Sequence, residues 1–586
     1  MKNFTLLYKI LHIVTFKKRN FLLGIISSIC NKLCDILPEI LIGFAIDVIV
    51  NRTNSFFSHI GIVNIRYQLY SLGVLTALLW ILESFFEYMH SLAWYRLALS
   101  CAHHLRLVAF HAIEEMDTNH LEKKSSGDML HVITDDINQI QDFIAVWCND
   151  VIQLIVNIVI MGTIFYTISP LLGFITSICI PVVIIVAYYF QNKLGALYEK
   201  VQYASSQLSS YCSYRLHGII TIKMNATEKY ELKRFADQSN VYNKTQYNAY
   251  KIRAQYIPLV RMAIMIGFIG SMIVGGIYAL NGVIPINWYA SLVFLTQRFL
   301  WPFTSIAYIT DVYQKTIASV KRINEIILYK NKIIEGVESL DIKTIKGDIA
   351  YKNISFGYTE DEFLFKNLSF TITAQKTVAF VGATGSGKST FTKLLLRLYE
   401  ISSGEITIDG KNIQTLTYEH LRKSIAVVSQ DIYMVEGTIY DNIAYGALDI
   451  SKEEIIKAAK IAHIHDYIEQ LPQGYDTIVQ EHGKNFSGGE KQRIVIARAI
   501  AKKTPIIIFD EATSALDNET ERAFQESLLD LHGHCTIIII AHRLSTVKHA
   551  DMIFVFENGS IIEQGNHNEM LKAQGPYAQL WYSSCN

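Results

Sequence analysis

Val378-Ala379-Phe380-Val381-Gly382-Ala383-Thr384-Gly385-Ser386-Gly387-Lys388-Ser389 is a short apolar run that breaks into glycines and ends in Lys-Ser. Its last eight residues fit G-x-x-x-x-G-K-[ST], and Thr390 and a helix-favouring stretch from Phe391 to Tyr399 follow directly. Strand, glycine loop and helix in that order make an anion cradle. Glycines let backbone N–H groups close around a phosphate, and the helix N-terminus adds the positive end of its dipole. Lys388 is placed to reach β and γ oxygens of a nucleotide and Ser389 to ligate Mg²⁺. An ordinary Gly-rich turn does not account for all three parts together. Downstream, Ile506-Ile507-Ile508-Phe509-Asp510-Glu511 reads as an apolar strand with two carboxylates at its tip, where open α/β sheets gather their ligands. Asp510 suits a metal ion. Glu511 suits a water that must be oriented or deprotonated.

Around this cradle, from about residue 346 onward, short β-rich runs alternate with helical stretches, which predicts an α/β domain over 346–586. The rest of the 586 residues has another texture. Hydrophobic residues make up 51% of the chain and charged residues 18%, against about 25% in soluble proteins, and the deficit is concentrated before residue 310. Residues 140–190 hold two carboxylates, Asp142 and Asp150, and no Lys or Arg, with Ser169-Pro170 as a break. A crossing needs about 20 mainly apolar residues, so this stretch supplies two. Residues 262–297 lack Asp, Glu, Lys and Arg and are punctuated by Asn281-Gly282 and Pro285. Six spans are expected, at 21–50, 69–94, 140–168, 170–190, 256–280 and 285–310, in a membrane domain over 1–320 with a linker over 321–345. Lys315 to Glu325 reads as the start of that linker.

Lys17, Lys18 and Arg19 precede the first span, and 191–254 carries ten Lys or Arg, whereas 51–68 carries only Arg52 and Arg66. The positive-inside bias therefore puts the N-terminus, the long charged loops at 95–139 and 191–254, and the α/β domain in the cytoplasm, on a multi-pass protein of the cytoplasmic membrane. No signal peptide is evident at the N-terminus. Lys plus Arg and Asp plus Glu both number 53, so no overall basic field recruits nucleic acid. Eight Cys without a CxxC spacing indicate neither a disulfide framework nor a zinc site, and Cys30 with Cys34 reads as packing.

Asn485-Phe486-Ser487-Gly488-Gly489-Glu490-Lys491-Gln492-Arg493 resembles the signature motif of ABC ATPases. Gln430, Ser514-Ala515-Leu516-Asp517, His542 and Tyr358 match the family's Q-loop, D-loop, switch histidine and adenine-stacking aromatic in order and spacing. With six spans ahead of them, the whole chain resembles a half-size ABC exporter of the lipid-A, multidrug and peptide group. The resemblance implies that Tyr358 stacks on adenine, Gly382 to Thr390 hold the phosphates, and Ser389, Asp510 and Gln430 hold Mg²⁺. It implies Glu511 and His542 as catalytic groups, and Ser487, Gly488, Gly489 and Glu490 acting on the nucleotide of a second subunit with Asp517 beside them. Taken singly, Tyr358 also fits core packing and His542 a polar strand end. The partner implied is a second copy of the chain or a paralogous half-transporter. The activity implied is ATP hydrolysis driving export of an amphipathic or hydrophobic peptide, drug-like molecule or lipid by alternating access. Lipid flipping and an ATP-regulated channel or sensor ATPase remain as alternatives.

This sequence departs from the family pattern with Phe486 where Leu is commonest, Glu490 where Gln is commonest and Gln480 where Gly is usual. Leu216 to Lys223 also follows the exporter pattern, with Ser213 or Tyr214 near a commonly acidic position. Ionisable groups within spans usually face the bundle interior or water. Glu83, Glu87, Asp150 and Arg298 are therefore candidates for a polar cargo cavity, while Lys32 and Asp35, at i,i+3, can neutralise each other.

Overall fold

The computed structural model describes residues 18–585 apart from 53–54, 125, 332, 342–343, 360–361, 511–517 and 542. They divide into two compact units, one running to residue 115 and from 125 to Tyr329, the other made of Met116–Lys124 and the chain from Lys330 onward.

The first unit is helical: α1 (Lys18–Asn51), α2 (Ile65–Glu114), and, beyond the short α3 (Thr118–Lys123) of the second unit, α4 (Gly127–Ile168), α5 (Pro170–Leu216), α6 (Glu228–Leu280), α7 (Ile286–Leu300) and α8 (Ile306–Ile327). Among the described residues α2, α4, α5 and α6 are long and apolar enough to cross a membrane by themselves. The other expected spans are helical too: α1 carries Lys32, Asp35, Glu39 and Asp47 within it, and α7 gives way after 15 residues to a 3₁₀ turn at Trp301–Ser305. The turn contains Pro302, which has no N–H to offer. Asn157 on α4 donates instead to the carbonyl of Phe299 nearby, at 3.2 Å in a buried setting. Buried Trp94 on α2 fixes α1, donating to Ser28 Oγ at 3.1 Å. A Cβ on Gly24 would come within 2.9 Å of its ring, so the two helices meet at a glycine.

Two π-helical turns, Val132–Asp136 and Phe143–Trp147, interrupt α4. Asp136 at the first is 1% exposed and receives Ser319 Oγ at 2.8 Å and Arg322 Nε at 2.7 Å. Both side chains belong to the stretch Lys315 to Glu325, expected to begin a linker. The stretch is helical to Ile327, because its charges are spaced so that Arg322 meets a buried carboxylate on α4 while the apolar positions Val320, Ile323 and Ile326 are buried.

The second unit is an α/β fold. An antiparallel sheet takes β1 (Ile349–Phe356), β2 (Phe365–Ile372), β4 (Ser403–Ile408) and β5 (Lys411–Asn412) in the order β2-β1-β4-β5. The main sheet takes β3 (Thr377–Gly382), β6 (Ile425–Val428), β7 (Ile506–Asp510), β8 (Thr536–Ile540), β9 (Met552–Glu557) and β10 (Ser560–Gly565), ordered β10-β9-β3-β8-β7-β6. β3 lies in its middle, parallel to both neighbours, and residues 377–381 are all buried, as an unbroken apolar run demands when both faces are covered. Helix α9 (Lys388–Leu395) leaves its C-terminal end, and α10 (Gly488–Ala501) and α11 (Asn518–Leu531) follow. Phe391 of α9 packs on Phe380 of β3 with ring centroids 4.1 Å apart, which locks the loop between them.

Candidate functional site

Sheet order brings the two sequence motifs together. β7 and β3 flank β8 in parallel, so Asp510 and Gly382 end at the same edge. There Ser389 Oγ donates to Asp510 Oδ1 at 3.0 Å. Gly382, Gly385 and Gly387 hold φ of 147°, 84° and 102°. Glycine is required at the first and last on space as well, since a Cβ would meet Phe556 O at 2.1 Å or Phe365 Cε1 at 2.6 Å. Lys388, 4% exposed, donates its ammonium to the carbonyls of Gly382 and Ala383 at 2.9 Å each, which holds the charge over the loop. Ser386 Oγ is buried and has no hydrogen-bond partner among the described residues, so the loop holds a polar atom in want of a ligand.

The loop opens on a cavity of about 620 Å³ lined by Tyr358, Thr384, Gly385, Gly387, Lys388, Ser389 and Thr390, with Thr359, Glu362, Phe363, Leu364 and Asn558. Tyr358 is 44% exposed, and its hydroxyl lies 3.0 Å from Thr390 Oγ1. Gln430 is exposed two residues past Val428 of β6, which pairs with Phe509 beside Asp510. Glu511, Asp517 and His542 lie outside the described residues. Sequence reasoning missed Asn558, although Asn558-Gly559 is a strong hairpin signal. That turn joins β9 to β10 and sends the Gly559 N–H to the carbonyl of Ser386 at 3.3 Å, buttressing the cradle.

The signature residues Ser487, Gly488, Gly489 and Glu490 are not among those lining this cavity. They begin α10. Ser487 Oγ accepts the Glu490 N–H at 3.3 Å, while the Glu490 carboxylate accepts the Ser487 N–H at 2.8 Å, a reciprocal capping box. Glu490 thus supplies an acceptor that Gln could also supply, and Phe486 is buried in the core, where a large apolar side chain is wanted. Gln480 keeps its backbone tied: its N–H goes to Asn485 Oδ1 at 3.1 Å and its carbonyl receives Gly483 N–H at 2.6 Å. Glu490→Ala should cost about 1 kcal/mol at this helix start and Glu490→Gln less, read as unequal falls in Tm. Equal stability of all three proteins would remove the capping role.

In the first unit, Arg298 pairs with Asp35 (Nη1 to Oδ1, 2.9 Å) and Glu39 (Nε to Oε1, 3.1 Å), and Lys32 meets Asp35 at 2.7 Å. Glu83 and Asp150 are half-buried and Glu87 exposed, and the contact made at Glu83 is through its carbonyl, from Asn31 Nδ2 at 3.0 Å. A cleft of about 150 Å³ lies elsewhere, between α5, α6 and α8, walled by Phe190, Tyr198, Tyr256 and Tyr308 with Arg253, Asp311 and Gln314 at hand. None of the four sequence candidates lines it.

Residues 21–303 match the family model of the ABC transporter transmembrane region and residues 365–514 that of the ABC transporter. An uncharacterized ABC transporter ATP-binding protein of Bacillus subtilis, YwjA, is 31% identical over 96% of both chains. An ATP-dependent lipid A-core flippase of Legionella pneumophila is 35% identical over 81% of both. Among solved structures, a bacterial Atm1-family ABC exporter with ATP bound superposes with a TM-score of 0.85 at 26% identity, covering 97% of this chain and 98% of that one.

Proposed function

The chain belongs to the ABC transporter family, with an exporter-type membrane domain ahead of its ATPase domain, and from that premise we propose that two copies work as one ATP-driven exporter of an amphipathic cargo. The observation that carries this reading is the Ser389–Asp510 contact beside the cradle and the Tyr358-lined cavity. ATP is the substrate there: Tyr358 offers a ring to the base, and the loop amides, Lys388 and the Ser386 hydroxyl face the phosphates. Ser389 Oγ, the Asp510 carboxylate and the Gln430 amide are hard oxygen donors that suit Mg²⁺, which when bound neutralises phosphate charge. Glu511 orients or deprotonates the attacking water, and His542 donates to the γ-phosphate.

Because Ser487 to Glu490 do not line their own chain's cavity, they are free to close the cavity of a second copy, with Asp517 at the same seam. One chain therefore holds parts of two sites, and a dimer completes both. ATP favours the closed pair only through its higher affinity for that state, and loss of the γ-phosphate releases it. The cargo is an amphipathic molecule of the lipid class, like that named for the Legionella relative, and the aromatic cleft with Arg253 at its side offers such a molecule apolar walls and a cation. The protein sits in the cytoplasmic membrane with its ATPase domain inside.

Reconstitution into inside-out vesicles tests this. Amphipathic lipids should stimulate ATP hydrolysis several-fold and move across the bilayer in an ATP-dependent way. Ion current without cargo movement would favour the channel reading, and hydrolysis indifferent to every lipid would set the cargo class aside.

A further inference from the structure

Helix α7 is 15 residues long. At about 1.5 Å per residue it covers roughly 22 Å, short of the ~30 Å hydrocarbon core, so its C-terminal end lies at membrane depth. The 3₁₀ turn Trp301–Ser305 follows, and Pro302 has no N–H to return to the carbonyl of Arg298 four residues earlier. Carbonyls at a helix C-terminus carry the negative end of its dipole. In a membrane such a break persists only where other groups take up the exposed backbone, and its carbonyls suit a small cation.

Asn157 of α4 meets this end. Its Nδ2 donates to the Phe299 carbonyl at 3.2 Å, which fixes the amide, since the reverse orientation would set two oxygens against each other. Asn157 is 0% exposed, and its Oδ1 has no hydrogen-bond partner among the described residues. The orphan is an acceptor, so it calls for a donor or a cation and not for an anion. Phe299 and Leu300 beside it are buried, and Phe165 stacks on Phe299 at 5.8 Å. A headgroup tethered to a chain does not fit so closed a place, whereas a bare ion does.

The charges around the break point the same way. Ser28 Oγ donates to Asn149 Oδ1 at 2.8 Å and Gln153 Nε2 to Asn31 Oδ1 at 3.1 Å, so α1 and α4 run side by side in one register. The next turn brings Asp35 level with Asn157. Asn31 Nδ2 also binds the Glu83 carbonyl at 3.0 Å, which sets Glu83 of α2 near this depth. Among the described residues the carboxylates Asp35, Glu39, Glu83 and Glu87 share this region with two cations, Lys32 and Arg298, which are already paired with Asp35 and Glu39. The Arg298 guanidinium is thereby drawn toward α1, while its carbonyl belongs to the broken end of α7. A water would satisfy Asn157 but leave the formal excess of negative charge standing. Among the described residues no three His, Cys, Asp or Glu gather as a metal site, so the arrangement does not suit a divalent ion.

We propose that one sodium- or potassium-sized cation binds at the end of α7, held by Asn157 Oδ1 with the Arg298 and Phe299 carbonyls and balanced by the carboxylates of α1 and α2. Carbonyl and amide oxygens there replace the ion's hydration shell. The site is separate from the phosphate cradle and does not rest on its reading as an ATP site.

Equilibrium binding of radioactive sodium and rubidium to the full-length protein in lipid nanodiscs, with N-methylglucamine holding the ionic strength, tests this. The parent should take up one ion per chain saturably, and its Tm should rise with that uptake. Asn157→Leu removes the acceptor at similar volume and should weaken binding at least about ten-fold, as loss of a bond to a charged partner does. Asn157→Asp, which keeps the oxygen and adds charge, should bind at least as tightly as the parent. Pro302→Ala returns an N–H to the Arg298 carbonyl and should weaken binding about three-fold or more. That variant keeps the test sharp if Asn157→Leu fails to fold, which its Tm in N-methylglucamine reports. No saturable uptake of either ion by the parent would overturn the site and leave Asn157 with a water only. Binding unchanged in both Asn157→Leu and Pro302→Ala would place the ion elsewhere and overturn it as well. Displacement of the ion by an amphipathic amine, one per chain, would replace the bare ion with a cargo headgroup. Absent ATP hydrolysis with ion binding intact would strike the exporter reading and leave the cation site standing.

Discussion

Lys388→Ala is expected to lower ATP hydrolysis at least about a hundred-fold, mainly through lost nucleotide affinity, since truncating one partner of a buried charged contact costs about 2–5 kcal/mol. The ammonium is 4% exposed and already aimed over the loop by the carbonyls of Gly382 and Ala383. Phosphate charge entering the cradle would meet a positive group that needs little reorganisation, and such preorganisation makes an electrostatic contact worth more than it is in water. Removing the ammonium leaves the backbone cradle, the Ser389–Asp510 contact and Tyr358 in place. The variant should therefore fold, with a Tm near that of the parent in the absence of nucleotide, while a fluorescent ATP analogue binds far more weakly. Hydrolysis within three-fold of the parent would mean that Lys388 is a structural lysine and that the cavity works without it.

How much of this could be read from the sequence follows from how local each constraint is. The cradle was legible because three local requirements fall in twelve consecutive residues: an apolar strand, glycines at positions of positive φ, and a helix start. The change of texture near residue 346 was legible because a lipid-facing helix and a strand-rich domain differ in composition over tens of residues. By contrast, the pairing of Arg298 with Asp35 and Glu39 joins α7 to α1 across more than 250 positions, and no periodicity carries it. The same holds for Asp136 with Arg322, which joins α4 to α8. The departure at Glu490 read as an oddity against a family pattern, but its meaning is geometric. Its carboxylate caps the helix that its own amide helps to begin. The segment 116–124 read as part of a charged loop; its membership of the nucleotide-binding unit depends on Tyr399 and Lys393, which are distant in sequence.

The second large effect concerns the residue after Asp510. β7 delivers Asp510 to Ser389, and Glu511 is its covalent neighbour, to which the proposed function gives a different task, that of acting on the attacking water. Glu511→Gln keeps size and hydrogen-bonding capacity but removes the negative charge that can take a proton from water. ATP should bind with affinity within about three-fold of the parent, because none of the groups facing the base or the phosphates has changed. Turnover should drop by about 10²–10⁴, the range that a positioned general base contributes. With binding intact and hydrolysis stalled, the closed dimer has no exit, so the variant should accumulate a tight complex holding two ATP per pair of chains. Light scattering of the detergent-solubilised protein with a nucleotide count would detect it. Lys388→Ala and Glu511→Gln thus separate two failures, one that never captures ATP and one that never releases it. Normal phosphate release from Glu511→Gln would move the catalytic assignment away from this carboxylate, whereas slow release without trapped nucleotide would disconnect hydrolysis from the opening of the dimer.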